Sequence, residues 1–520
     1  MTQLQTHPAT KRDRDEVFVE FTKSICPVCK VVVDAEVNVR NNRVYLRKRC
    51  KEHGPFEALV YSDAQMWFES QRFNKPGTIP LKTHNEVDRG CPLDCGFCPD
   101  HKQHACLGII EVNTSCNLDC PLCFADSGHQ PDGFSLSREQ VAAGLDAFVE
   151  AEGNPEVVMF SGGEPTIHPL ILDFIAMAID RNIELVTLNT NGIRLARDQR
   201  FVDALAAFTP RPRIYLQFDG LEAQTSLALR GRDLQALKQQ ALDRCAQAGI
   251  VVVLAAAVER GVNEHEVGGI VRFGIEHPAV KGVAFQPVTH SGRHPEFDPC
   301  DRVTNSDVIH ALADQLPEWF RASDFVPVPC CFPACRSITY AITDGETVIP
   351  VTRLLDVEDH IDYVANRVMP DPSIRAALEK LWSASAFTGS PTTDANLDAL
   401  GCSACGIEPG SLVESLSDRA FMIVIQDFQD PYTLNVRQLM KCCVAEIIPD
   451  GRLIPFCAYN SVGYREQVRE QLSGVKVPTI VPNANTLQPG LIPTRYGSRT
   501  VAETGSGTGF NSTNVGQRLR

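Results

Sequence analysis

The sequence predicts an α/β chain whose middle is a partial or complete barrel of six βα units. Between residues 107 and 288, six short apolar runs rich in β-branched residues alternate with amphipathic helical patterns. Near-continuous apolar strands separated by helices indicate parallel strands covered by helices. Polar or glycine-rich segments follow the strands, and ligands in such folds sit at the C-terminal strand ends. Cysteine usage sets this middle apart: of 20 cysteines, only Cys245 lies between Cys123 and Cys300.

In order, strands are predicted at 107–113 (LGIIEVN), 156–160 (EVVMF), 183–188 (IELVTL), 213–218 (RIYLQF), 250–257 (IVVVLAAA) and 282–288 (GVAFQPV). Helices are predicted near 137–152, 168–181, 198–207, 232–248, 264–276 and 305–321. The first strand leads into a loop with Cys116, Cys120 and Cys123, and the second into Ser161-Gly162-Gly163-Glu164-Pro165. Asn189-Thr190-Asn191-Gly192 follows the third. The fourth carries Gln217 and ends at Asp219-Gly220, and the sixth carries Gln286-Pro287. Turn chemistry explains any one of these loops. It explains less well why all of them follow strands. Which way Glu111 faces on the first strand stays open.

The chain has 520 residues, 43% hydrophobic and 22% charged, ordinary values for a globular protein. A net charge of −15 disfavours a nucleic-acid binder held by a basic face. The polar N-terminus shows no apolar signal region, and the longest apolar run, IVVVLAAAV, is too short to span a bilayer. The expectation is a cytoplasmic protein, with contact at the membrane limited to peripheral docking. In a reducing compartment so many cysteines point to metal binding or reactivity rather than disulfides. Cys245, in a helical pattern, and Cys300, in a loop, read as packing or surface cysteines.

The motif Cys116-x3-Cys120-x2-Cys123-Phe124 after a first strand, followed by Ser161-Gly162-Gly163-Glu164-Pro165 after a second, resembles the radical S-adenosylmethionine (SAM) superfamily over about residues 107–320. The resemblance implies a partial (β/α)6 radical SAM barrel and an enzyme. Three thiolates would hold three irons of a [4Fe–4S] cluster, leaving the fourth iron to SAM. Reductive cleavage of SAM would then give a 5′-deoxyadenosyl radical that abstracts hydrogen from an unactivated carbon, with the protein binding, orienting and excluding water. SAM-binding positions by the same resemblance are Phe124, Ser161, Gly162, Gly163 and Glu164, the last helping to hold the ammonium. Asn189 and Asn191 fall near the ribose, and Gln217 and Asp219 face SAM or the substrate.

The same C-x3-C-x2-C spacing occurs earlier, at Cys91, Cys95 and Cys98, and Cys106 follows. These four read as a closed auxiliary [4Fe–4S] cluster, with a four-cysteine zinc site as the competing reading. His101 and His104, within that segment, read as solvated loop histidines. At the N-terminus Cys26-x2-Cys29 and Cys50-x2-His53, separated by β-like runs with Asn41-Asn42 as a turn, look like a zinc-ribbon or rubredoxin-like knuckle holding one zinc or iron. Fold stabilisation and redox are both open to it. Among the late cysteines, Cys331, Cys335, Cys443 and Cys457 are the leading ligands of a second auxiliary cluster, with Cys330, Cys402, Cys405 and Cys442 as rivals. Tyr459 and Tyr464 read as packing aromatics.

The expected organisation is a metal knuckle (1–60), an auxiliary-cluster segment (61–106), the barrel (107–325), a C-terminal auxiliary-cluster region (326–475) and a tail (476–520) whose Gly/Thr/Ser/Pro-rich composition predicts disorder. The order of motifs, closing with Cys442-Cys443…Pro449-Asp450-Gly451-Arg452…Pro455-Phe456-Cys457, resembles the tetraether lipid synthase group and its pterin methyltransferase-like relatives. That resemblance implies three [4Fe–4S] clusters, SAM, one mononuclear zinc or iron, and a reductase, ferredoxin or flavodoxin as electron donor. It implies a transferase acting in lipid synthesis, by carbon–carbon coupling on a lipid chain. The alternatives are methylation of a pterin-like small molecule, peptide modification, and, in another class, a non-catalytic iron–sulfur electron-transfer protein.

Overall fold

The computed structural model describes residues 15–128, 133–210, 212–294, 298–329, 331–343, 347–353 and 420–474. Cys330, Cys402, Cys405 and the 476–520 tail lie outside the described residues.

The N-terminal unit is a four-stranded antiparallel sheet in the order β1 (Val17–Ile25), β2 (Val32–Arg40), β3 (Arg43–Cys50), β4 (Gly54–Tyr61). Asn41 and Asn42 turn β2 into β3 with φ of 51° and 56°. A two-residue hairpin demands this left-handed pair, and asparagine tolerates it. Ala35, Val37, Val44, Leu46 and Tyr61 bury one face of the sheet with Trp67, against Phe332 and Ala334 from the late cysteine segment.

All six barrel strands form: β5 (Leu107–Asn113), β6 (Val157–Gly162), β7 (Leu185–Thr190), β8 (Pro212–Gln217), β9 (Val252–Val258) and β10 (Val280–Pro287). They pair in parallel in chain order. The helices between them follow the predicted positions, for example Arg138–Glu152, whose start is fixed by a Ser137/Gln140 capping box. Two short helices, Ile193–Arg197 and Ala223–Arg230, were not anticipated.

The sheet does not stop at residue 325, where a boundary was expected. Past β11 (Val326–Pro327), β12 (Arg336–Thr343) and β13 (Val348–Pro350) come β14 (Ala420–Gln426), which pairs parallel to β10, and β15 (Val444–Ile447), which pairs parallel to β5. With β16 (Leu453–Pro455) the order is β11-β12-β14-β10-β9-β8-β7-β6-β5-β15-β16, an open barrel extended at both edges by the C-terminal third. Pairing covers edge strands that would otherwise present unpaired backbone groups. Strand alternation divides the core. Ile110, Val158, Leu188, Ile214 and Leu254 face the helices, while Leu107, Ile109, Met159, Tyr215, Ala255 and Val424 face the interior.

Candidate active site and metal centres

At the C-terminal strand ends, Cys116, Cys120 and Cys123 converge on a cavity of about 230 Å³. Phe124, Ser161, Gly162, Gly163, Glu164, Asn189, Asn191 and Gln217 line it with them. The cysteine loop is held from two sides. The Gly163 and Glu164 N–H groups donate to the carbonyls of Asn113 (2.8 Å) and Ser115 (2.9 Å). A Cβ on Gly162 would lie 2.3 Å from the Asn113 carbonyl oxygen, and one on Gly163 2.2 Å from that of Ser115. The two glycines are therefore demanded by backbone approach. On the other side Cys123 and Arg293 exchange backbone hydrogen bonds of 2.9 Å, and a Cβ on Gly292 would lie 2.3 Å from the Phe124 carbonyl oxygen. This second clamp escaped the sequence reading because the two loops are so far apart in the chain.

Glu164 is fully buried, and its carboxylate already has partners. It accepts from Thr166 N (3.1 Å), the Thr166 hydroxyl, Thr190 Oγ1 (2.7 Å) and Asn191 N (2.8 Å). Burial nevertheless raises its pKa. It ties the β6 loop to the β7 loop. Asn189 Nδ2 donates to Ser161 Oγ (3.1 Å), and Asn191 Nδ2 to Asn117 Oδ1 (2.6 Å) in the cysteine loop. Side-chain bonds thus join three successive strand-end loops.

Asp219 departs from the expectation that it faces SAM or the substrate. It lies behind the rim, gripped by Arg230 through two bonds of 2.7 Å and accepting from Ala257 N (3.1 Å). Burial works against its charge, yet the Arg230 guanidinium holds its carboxyl below the usual value. A buried carboxylate requires such a partner. Arg230 itself, missed at the sequence level, lines the cavity, donates to the Leu122 carbonyl and lies beside Cys120. Lys238 donates to Asn191 O (2.6 Å) and Gln217 Oε1 (3.3 Å), and burial lowers its pKa to about 8. Of these two cations Arg230 lines the cavity, whereas Lys238 lies behind the rim beside Asp219.

The donor set fits a metal cluster. Burial pushes the Cys116 thiol up to about 12 and raises that of Cys120. Thiolates there need compensating positive charge, which Arg230 supplies in part and iron would complete.

A buried network braces the cysteine loop from the C-terminal side. Glu111 faces the interior, accepting from Arg465 Nη2 (2.6 Å) and Tyr459 Oη (3.0 Å). Arg465 also donates to the Phe124 carbonyl (2.8 Å). Its neighbour Tyr464 donates to Pro92 O (2.9 Å) and accepts from Cys95 N (3.1 Å). Adjacent residues of the helix Tyr464–Ser473 thus reach both cysteine loops. The two tyrosines are bonded through their hydroxyls rather than serving as packing alone.

The ribbon residues Cys26, Cys29, Cys50 and His53 come together with all ligand atoms within 4.8 Å of one another. Cys26 and Cys50 sulfurs lie 3.7 and 3.5 Å from His53 Nδ1, and the His53 hydrogen bond lowers the Cys50 thiol to about 6. This compact set of thiolates and an imidazole suits one ion. Among the described residues only Glu222, His265 and Glu266 are as compact, and Glu266 is occupied capping the helix Ala223–Arg230 through Leu221 N, Glu222 N and Thr225.

Of the first auxiliary set, Cys91, Cys95 and Cys98 share a small cavity of about 10 Å³. Cys106 turns away to Cys443, which in turn lies 2.9 Å from Cys331. In the late set Cys457 pairs with Cys442, and Cys335 lies beside both Cys442 and Cys443, with Gln438 Nε2 donating to its sulfur (2.8 Å). The set expected from the repeated spacing thus parts at Cys106, which lies with the late cysteines. Cys106 lies just before β5 and Cys443 just before β15, and the parallel pairing of these strands brings the two together. His101 is buried, stacked on Phe97 at 4.4 Å and 3.0 Å from the Cys442 carbonyl oxygen, not solvated.

An open parallel α/β barrel with three cysteines and a glycine-glycine-glutamate loop at its C-terminal rim defines a radical SAM enzyme. Residues 110–274 match the radical SAM superfamily, and residues 18–62 match the HMPTM N-terminal zinc ribbon domain. The chain is 31% identical to the 7,8-dihydro-6-hydroxymethylpterin dimethyltransferase of Methanocaldococcus jannaschii, over 87% of this chain and 95% of that one. It is 29% identical to a GTP 3′,8-cyclase of Chlorobaculum tepidum, over 40% of this chain and 61% of that one. Streptococcus suis SuiB bound to S-adenosylmethionine superposes with a TM-score of 0.34 at 15% identity, over 41% of this chain and 48% of that one. The chain belongs to the radical SAM superfamily, in the family of the Methanocaldococcus jannaschii enzyme. No helix among the described residues is long and apolar enough to cross a membrane.

Proposed function

We propose that this enzyme methylates a pterin-like heterocycle by radical SAM chemistry, the second of the readings the sequence offered. The observation that carries the proposal is the match to a pterin dimethyltransferase over 87% of this chain and 95% of that relative. The cavity chemistry agrees. Its wall carries Gln217, Gln286, Gln426 and Asn460, with Tyr215 hydroxyl accepting from Gln286 (2.9 Å) and Arg336 bonded to Gln426. Phe456 packs between Phe428 and Phe124, with ring centroids 4.4 and 5.8 Å away. Amides edged by aromatic rings suit a flat ring with many donors and acceptors.

In this reading Cys116, Cys120 and Cys123 hold a [4Fe–4S] cluster, and Gly162 and Gly163 bring backbone close to SAM. Arg230, which lines the cavity, would offer positive charge to the carboxylate of SAM. Held there, the cluster would supply reducing chemistry for cleavage of SAM, with a ferredoxin- or flavodoxin-type protein as electron donor. Glu164 and Asn191 hold the three loops in register, so that the reacting carbon meets the radical within a water-poor cavity. The remaining cysteine groups hold auxiliary centres, and the ribbon holds one zinc or iron.

The test is anaerobic reconstitution with SAM and dithionite, measuring 5′-deoxyadenosine, followed by mass spectrometry of a dihydropterin substrate and, separately, of a lipid extract. Cleavage with one or two methyl groups added to the pterin is expected. Cleavage with coupled lipid chains would replace this reading with the lipid one. Absence of cleavage would leave only the electron-transfer alternative. Cys120→Ala abolishes cleavage, whereas Cys95→Ala retains part of it.

A further inference from the structure

We propose that His104, through Nε2, is the fourth ligand of the metal centre formed by Cys106, Cys331 and Cys443. The inference rests on the proposal that the cysteine groups outside the barrel rim hold auxiliary centres, and adds to one of them a histidine first read as a solvated loop residue.

The three cysteines are buried, with exposures of 1%, 3% and 3%. Cys443 links the other two. His104 Nε2 lies 3.7 Å from the Cys106 sulfur. On the opposite side of the ring, Nδ1 lies 2.9 Å from Oε2 of Glu152, the last residue of the helix Arg138–Glu152. The other oxygen, Oε1, accepts from Ala105 N at 2.9 Å. The His104 backbone N–H donates to the Thr78 carbonyl at 2.5 Å. Ring and backbone are therefore both fixed.

This is the arrangement in which a carboxylate selects a tautomer. Nδ1 carries the proton and donates it to Glu152, and the Nε2 lone pair is directed at the cysteine group. Metal-bound histidines characteristically make such an outer bond to a carboxylate, which orients the ring and raises its basicity. A solvated loop histidine has no need of a carboxylate whose side chain is only 5% exposed. Gln103 Nε2, 3.8 Å from the Cys106 sulfur, adds a hydrogen bond to the same ligand. Replacing a thiolate by a neutral imidazole makes a centre less negative and raises its reduction potential. This auxiliary centre would then accept electrons more readily than a four-cysteine one.

The test uses the full chain, reconstituted anaerobically with histidine labelled with nitrogen-15. Iron and sulfide are counted, and reduced samples are examined by pulsed electron paramagnetic resonance. The expected result is a directly bonded histidine nitrogen on one auxiliary cluster, lost in His104→Cys while the iron count stays at the wild-type value. The potential of that cluster falls in His104→Cys, and Glu152→Gln weakens the nitrogen coupling without removing it. A wild-type protein with its full iron complement and no bonded histidine nitrogen overturns the assignment of His104. An unchanged iron count in Cys443→Ser overturns the centre itself, a separate failure read from iron alone.

Discussion

Gly163 shows how one side chain's absence builds the active-site rim. A methyl group there would sit 2.2 Å from the Ser115 carbonyl oxygen, and that oxygen belongs to the backbone of the cysteine loop. Gly163→Ala should therefore push the loop away from SAM and lower 5′-deoxyadenosine formation by roughly a hundredfold, or about 3 kcal/mol at the transition state. Activity within twofold of wild type would show that the loop can yield. The glycine motif was legible in the sequence, but the reason for it was not, because the atom a Cβ would strike is 48 positions away. Arg230 was not legible at all. Nothing around it marks a buried cation, and its role appears only when Asp219 and Cys120 are placed beside it.

At the scale of elements, the helix Tyr464–Ser473 works as a strut between two cysteine loops. Arg465 carries the buried contact. Burial and the neighbouring charge of Glu111 push Glu446 well above the carboxylate range, while Glu111 itself stays ionised against Arg465. Arg465→Met leaves the Glu111 carboxylate buried without its cation, a loss of about 3–5 kcal/mol. Thermal unfolding should show it, and the double variant with Glu111→Gln should recover part. No recovery in the double variant would mean that Arg465 acts through its packing on Phe124 rather than its charge. The helices and strands of the barrel were readable from periodicity alone, since both faces of each strand are buried and each helix has one apolar side. β14 and β15 were not, because short apolar runs carry no information on which sheet edge they join.

For the whole molecule, the ribbon is docked onto the barrel through buried polar contacts. Lys48 donates to Ser24 Oγ (2.9 Å) and to the Pro431 carbonyl (2.7 Å), joining β3 to the segment after β14. Burial lowers its pKa to about 7. Between about pH 7 and the usual lysine value of about 10.4, the unfolded chain holds a proton that the folded one has released, so stability from this group rises with pH across that window. Denaturant unfolding of wild type against Lys48→Met should show a rise of a few kcal/mol in the wild type that the variant lacks. A parallel pH dependence in both would assign it elsewhere. The ribbon's cluster of Cys26, Cys29, Cys50 and His53 is separate from the cysteines of the barrel rim. Cys50→Ser should release one metal ion per chain and lower the melting temperature while the iron–sulfur content stays unchanged, as metal analysis would establish. Loss of iron from the barrel clusters in that variant would mean that ribbon and barrel share a centre.

What the sequence determined by itself are the features written in local order: the strand and helix alternation, the Asn-Asn hairpin, the clustering of Cys26, Cys29, Cys50 and His53, and the cysteine and glycine loops at successive strand ends. Each depends on residues a few positions apart, where backbone geometry leaves few arrangements. Only the tertiary structure decided which distant groups meet. Cys106 left its neighbours in the chain for Cys443 and Cys331, Cys442 and Cys443 took different partners, Asp219 turned from the cavity to Arg230, and His104 turned from solvent to Glu152. Buried charges and thiols must find compensating partners wherever the fold brings them, and spacing along the chain holds no record of that choice.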